Sequence, residues 1–76
     1  MKIGEVVGSV WATRKAESLM GQTFLVVRCG QEELVAADQV GAGRGDQVLL
    51  VTGTVASRVC MESPVDAAVV AIVDKD

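Results

Sequence analysis

The chain has 76 residues, room for one domain (1–76) with a single small core, since a chain of about 60 residues buries only about 60% of the surface its unfolded form exposes. Its residues are 50% hydrophobic but only 3% aromatic, a strand-rich mixture dominated by Val and Ala, and a net charge of −3 removes the attraction behind most non-specific nucleic-acid binding. With no His, Ser-His and Cys-His nucleophile pairs cannot be built, and Cys29 and Cys60 are too few for a disulfide scaffold and lack the CxxC spacing of zinc sites.

The N-terminus meets Glu5 before an apolar stretch could form, so no secretory signal is expected. A first strand is predicted from about Ile3 to Lys15, with Gly8 marking a bend or bulge. Ala16 to Gly21 reads as a short helical turn, with Ser18 available as a cap and Gly21 as a stop. The second strand, Gln22 to Cys29, reaches Gly30 and turns through Gln31-Glu32 into a third from Glu33 to Val40, a hairpin signal. A glycine-rich connection, Gly41 to Asp46, leads to a fourth strand, Gln47 to Thr52, which Gly53 ends. Thr54 to Cys60 is expected to be a short helix with Thr54 as N-cap. Pro64 stands at the entrance to a last strand, Val65 to Val73, and the longest wholly apolar run, Ala67 to Val73, falls far short of the ~20 residues of a membrane helix. Short strands, Gly-rich turns and one helix predict an all-β fold, a small closed barrel.

Two strands fail the alternation expected of a sheet with one wet face. In the last, Ala67, Val69, Ala71 and Val73 share one parity while Ala68, Val70 and Ile72 share the other; in the first, Ile3, Val7 and Trp11 oppose Val6, Val10 and Ala12. A barrel this small has one interior, so the second face is expected to meet another copy of the chain. The competing arrangement is a strand buried on both faces within one subunit.

Gly41-Ala42-Gly43-Arg44-Gly45 invites a phosphate-loop reading, but the residues that follow read as a strand and the spacing is GxGxG. A connection needing positive φ or close backbone approach at Gly41, Gly43 and Gly45 is the better account. Arg44-Gly45-Asp46 matches a cell-adhesion tripeptide by coincidence. Glu32 and Glu33 are neighbours that do not converge in a pocket, and Lys15 lacks the hairpin tip that a carrier-domain lysine needs. Thr13, Asp38 and Asp66, polar residues within or beside apolar strands, are expected to hydrogen-bond turn backbone.

Gly8 through Thr13-Arg14-Lys15, Leu19-Met20-Gly21, Val35-Ala-Ala-Asp38-Gln-Val-Gly-Ala-Gly-Arg-Gly45 and Pro64-Val-Asp66-Ala-Ala-Val-Val-Ala-Ile-Val-Asp74 together resemble the pentameric vertex proteins of bacterial microcompartment shells, a family with carboxysome and ethanolamine-utilisation members. The resemblance covers nearly the whole chain. It implies a five-stranded OB-like barrel with one short helix, assembled as a cyclic homo-pentamer in a cytoplasmic shell whose other partners are hexameric shell proteins. No catalytic residue, cofactor or metal is implied, nor any nucleic-acid or membrane partner; the alternative is an oligomeric OB-type ligand- or nucleic-acid-binding module. Residues expected to serve structure or assembly are Thr13, Lys15, Asp38, Gly41, Gly43, Arg44, Gly45, Asp46, Pro64 and Asp66. The chain departs from the family at Gly30-Gln31-Glu32, a shorter connection than usual, and at Gly53 to Arg58, which replaces a more familiar Gly-Ser-Ser-Ala-Arg.

Overall fold

The computed structural model describes residues 1–74. Five strands, β1 (Lys2–Val10), β2 (Phe24–Cys29), β3 (Glu32–Asp38), β4 (Gln47–Thr52) and β5 (Ala67–Ile72), close into a barrel in the order β1-β2-β3-β5-β4. A 3-10 turn at Glu17–Leu19 lies between β1 and β2, and the helix α1 (Thr54–Val59) between β4 and β5. All neighbours are antiparallel except β3 and β5. No helix among the described residues is long and apolar enough to cross a membrane.

Local chemistry sets the corners. Gly30 takes φ 63° in the two-residue turn between the paired residues Cys29 and Glu32, the first central position where a tight hairpin turn favours glycine. The register of β1 against β2 shifts between Val6 and Gly8, so the bulge expected at Gly8 is present and curls the long strand around the barrel.

Inside, Val6, Leu25, Val27, Ala36, Val48, Leu50, Ala67 and Val69 form the barrel core. Each Val or Leu so buried contributes about 1.5–3 kcal/mol. A second cluster forms outside the barrel wall, where Ala56 and Cys60 from α1 and its C-cap pack on Ala37, Val51 and Ala68. Ala68 and Val69 are therefore both fully buried, on opposite faces of the same strand. This corrects the argument from alternation: the second face of β5 is covered over its first half by the chain's own helix, and only its later residues face outward. Six helical residues are enough, because Ala37, Ala56 and Ala68 are small and let the backbones approach closely.

Several expected boundaries move, each for a local reason. β1 ends at Val10 rather than Lys15, since its last partner is Phe24, the first residue of β2. β3 stops at Asp38 rather than Val40 because the Asp38 carboxylate accepts the next N–H groups and turns the chain. β5 begins at Ala67, not Val65, after Gly53 N–H reaches Asp66 O at 2.8 Å. Thr54 is the first helical residue and not the cap; Gly53 occupies that position at φ 79°, with no side-chain cap bond. Ser18 lies within the 3-10 turn, whose N-cap is Ala16.

Candidate assembly surface

The glycine-rich connection is built around two carboxylates. Asp38 Oδ1 accepts from the N–H groups of Val40, Gly41 and Ala42 at 3.1, 3.1 and 3.3 Å. At the other end Asp46 Oδ2 accepts from Gly43 N–H at 2.8 Å, while Asp46 N–H donates to Gly43 O at 3.0 Å. The loop is tied to β1 by a reciprocal pair: Gly45 N–H donates to Val6 O at 2.9 Å and Val6 N–H to Asp46 O at 3.0 Å. Ala42 packs against the barrel core.

These bonds decide between the two readings of the glycines. The N–H groups from Val40 to Gly43, and that of Gly45, already have acceptors within the chain, so the cradle an anion would need is occupied from within. Gly41 at φ 76° and Gly45 at φ 92° require glycine. Gly43 does not, which corrects the expectation for it: its φ is outside the left-handed region, and an added Cβ would meet only Asp46 Oδ2, at 3.9 Å. Arg44 stands exposed at the turn.

The other candidate residues lie elsewhere. Thr13 and Lys15 belong to the irregular segment after β1, where Lys15 lines an open cleft of about 70 Å³ with Trp11 and Phe24. Pro64 and Asp66 sit in the α1–β5 connection, both exposed; Asp66 contributes its main-chain carbonyl to Gly53, as described. Sequence reasoning missed Ser63, which is buried there: its hydroxyl accepts from Gln22 Nε2 at 3.0 Å and donates to Ser18 O at 3.2 Å, and its carbonyl accepts from Ser57 Oγ at 2.7 Å. This network joins the 3-10 turn, the segment before β2 and the helix. Burial raises the pKa of the Cys60 thiol.

Outward-facing apolar rows remain on the barrel. Paired residues share a face, so Ile3, Leu49 and Ala71 form one row across β1, β4 and β5, and Gly8, Val26 and Val35 form another across β1, β2 and β3. Ile3 is 61% exposed, Val35 53% and Trp11 89%. A chain whose own core is complete thus leaves large apolar side chains in water, as an associating subunit does.

Residues 1–74 match the protein family described as ethanolamine utilisation protein EutN/carboxysome. The carboxysome shell vertex protein CcmL of Synechococcus elongatus is 48% identical over 83 residues, covering 97% of this chain and 84% of the relative. Among solved structures, CcmL from Nostoc sp. PCC 7120 superposes with a TM-score of 0.91 at 40% identity, covering 100% of this chain and 92% of that one. The GrpN pentameric microcompartment shell protein from Rhodospirillum rubrum gives 0.87 at 40% identity, over 99% and 96%.

Proposed function

Because the chain belongs to the EutN/CcmL family, we propose that it is a vertex subunit, a structural protein rather than an enzyme, whose pentamers cap the corners of a polyhedral microcompartment shell in the bacterial cytoplasm. The observation that carries this reading is likeness over nearly the whole of both chains to a relative solved as a pentameric microcompartment shell protein. The barrel agrees with it: a closed fold with its own core, yet with apolar rows still facing outward.

Geometry then assigns the role. Hexagonal tiles form flat or singly curved sheets, and a polyhedron closes only where five-fold units replace them. A subunit with two unlike adhesive faces builds such a ring by head-to-tail contacts. The neighbours of the ring are hexameric shell proteins, and the loop from Asp38 to Asp46, rigid through its carboxylates and presenting Arg44, is a contact element of the assembly. Thr13 and Lys15, in the segment after β1, and Pro64 and Asp66, before β5, are further assembly or structural residues at separate places on the subunit.

Electron microscopy of shells produced with and without this chain tests the reading. Shells lacking it should have vacant corners or grow as tubes while the enclosed enzymes keep their intrinsic activity. Shells that close equally well without it, with no vacant corner, would exclude a vertex role and revive the OB-type binding module, against which the net charge of −3 already argues.

A further inference from the structure

The sole Trp of the chain has no cover of its own. Trp11 is 89% exposed, directly after the last paired residue of β1, and beside it lies the open cleft floored by half-buried Phe24 and bordered by Lys15. A Trp or other aromatic side chain buries about 150–250 Å² when covered and is among the commonest anchors of protein contacts. The charge in the same segment is mainly basic, with Glu17 its one acid. Arg14 and Lys15 follow in the same segment, and the ion pairs among the described residues are Lys2–Glu32 and Arg28–Glu33, neither of which uses them. In a chain with three more acids than bases, two cations beside the one Trp make a locally basic, aromatic surface.

A surface of the opposite kind lies on the β1, β4 and β5 strands of the same subunit. The apolar row Ile3–Leu49–Ala71 is bordered by the next row of the sheet, Glu5, Gln47 and Val73, with Asp74 following. Glu5 and Asp74 are both exposed and unengaged by the ion pairs named above. The face is apolar at its centre and acidic at its rim. The two faces differ, as the head-to-tail contact of a ring requires, and they complement each other in polarity and charge.

We propose that Trp11, flanked by Arg14 and Lys15, seats on the Ile3–Leu49–Ala71 face of the adjacent copy of the chain, and that this contact, repeated around the axis, closes the ring. The inference rests on the pentamer assigned above and names the surfaces that form it. The chain has one Trp and no Tyr, so its tryptophan emission reports Trp11 alone. Native mass spectrometry of the full chain identifies the ring, and emission and acrylamide quenching are then recorded on the same sample. In the ring, emission should be blue-shifted and quenching several-fold weaker than in dissociated subunits.

Ile3→Glu changes an exposed residue of the acceptor face and leaves Trp11 untouched. It should raise the ring dissociation constant by at least about tenfold and shift Trp11 emission to that of a solvated indole, with the circular dichroism of the barrel retained. Lys15→Glu, also at an exposed position, gives a second reading: a similar weakening, with reduced sensitivity of the remaining association to salt. Intact pentamers in which Trp11 is quenched as readily as in separated subunits would overturn these surfaces while leaving the pentamer standing, as would rings indifferent to both substitutions. A chain that is monomeric by mass would overturn both the surfaces and the pentamer.

Discussion

Gly4 faces Cys29 across the β1–β2 wall with no room for a methyl group between them: a Cβ on Gly4 would lie 2.8 Å from Cys29 Sγ, 2.6 Å from Val27 Cγ1 and 2.8 Å from Arg28 O. One of those neighbours is backbone and Val27 is fully buried, so none can yield at small cost. Gly4→Ala should therefore lower stability by about 1–3 kcal/mol, as overpacking does. Gly8→Ala, where nothing lies within 4 Å and φ is not positive, should change it by less than about 1 kcal/mol. Urea denaturation of the two variants side by side checks the contrast, and equal midpoints would contradict it.

Within the loop, the order of sensitivity is set by backbone conformation. Gly45→Ala, at φ 92°, should cost about 1 kcal/mol or more, and Gly43→Ala should be close to neutral. Asp38→Ala removes the acceptor of three N–H groups and should cost about 1–2 kcal/mol. Added inorganic phosphate should leave all melting temperatures unchanged, because the N–H groups it would bind are already engaged; a rise of several degrees would show a site after all.

Cys60 should make stability fall at alkaline pH. Its thiol is buried and its pKa is raised above the ordinary 9.0 by desolvation, so the folded chain holds a proton that the unfolded chain releases more readily. The associated stability is complete below the unfolded pKa and is lost as pH rises through it toward the folded value. Cys60→Ala should remove this alkaline component and cost about 1–2 kcal/mol at neutral pH through lost packing. Titration with a thiol reagent should label half-buried Cys29 before Cys60, and neither variant nor wild type should need an oxidant to assemble.

Arg44 projects from the loop into solvent, away from the bonds that hold the loop together. Arg44→Glu should therefore leave folding and ring size unaltered but lower incorporation into shells several-fold, through charge reversal at a contact rim. Mass of the isolated ring and occupancy of shell corners by microscopy, measured on one preparation, separate the two effects. A variant that incorporates normally would remove Arg44 from the contact.

The hairpin at Gly30, the bulge near Gly8, the limits of β4 and the helix after Gly53 were all legible in the sequence, because glycine and the runs between glycines report backbone conformation directly. What fills space was harder to read. Trp11 and Ala12 look like strand residues, yet their pairing depends on where β2 begins, a tertiary fact. The cover on Ala68 could not be assigned from parity, since a helix of six residues and a second subunit leave the same mark on a strand. Gly4, in a run that marks no turn, is required by Cys29 from a different strand. Ser63 lies in a stretch that reads as ordinary loop, and the side-chain hydrogen bonds that hold it come from residues 18, 22 and 57.

The seam between β3 and β5 differs from every other joint of the barrel. It is the parallel one, and its ladder holds two residue pairs, Ala37–Ala68 and Asp38–Val69, extended by Gln39 N–H on Val69 O. Ala37 and Ala68 are nearer in sequence than Lys2 and Leu50 of the β1–β4 joint, so what sets this seam apart is the shortness of a parallel ladder, which pairs slightly less stably per residue. It should be the first joint to exchange its amide hydrogens with solvent, so that the subunit opens as a curled sheet before it unfolds as a chain.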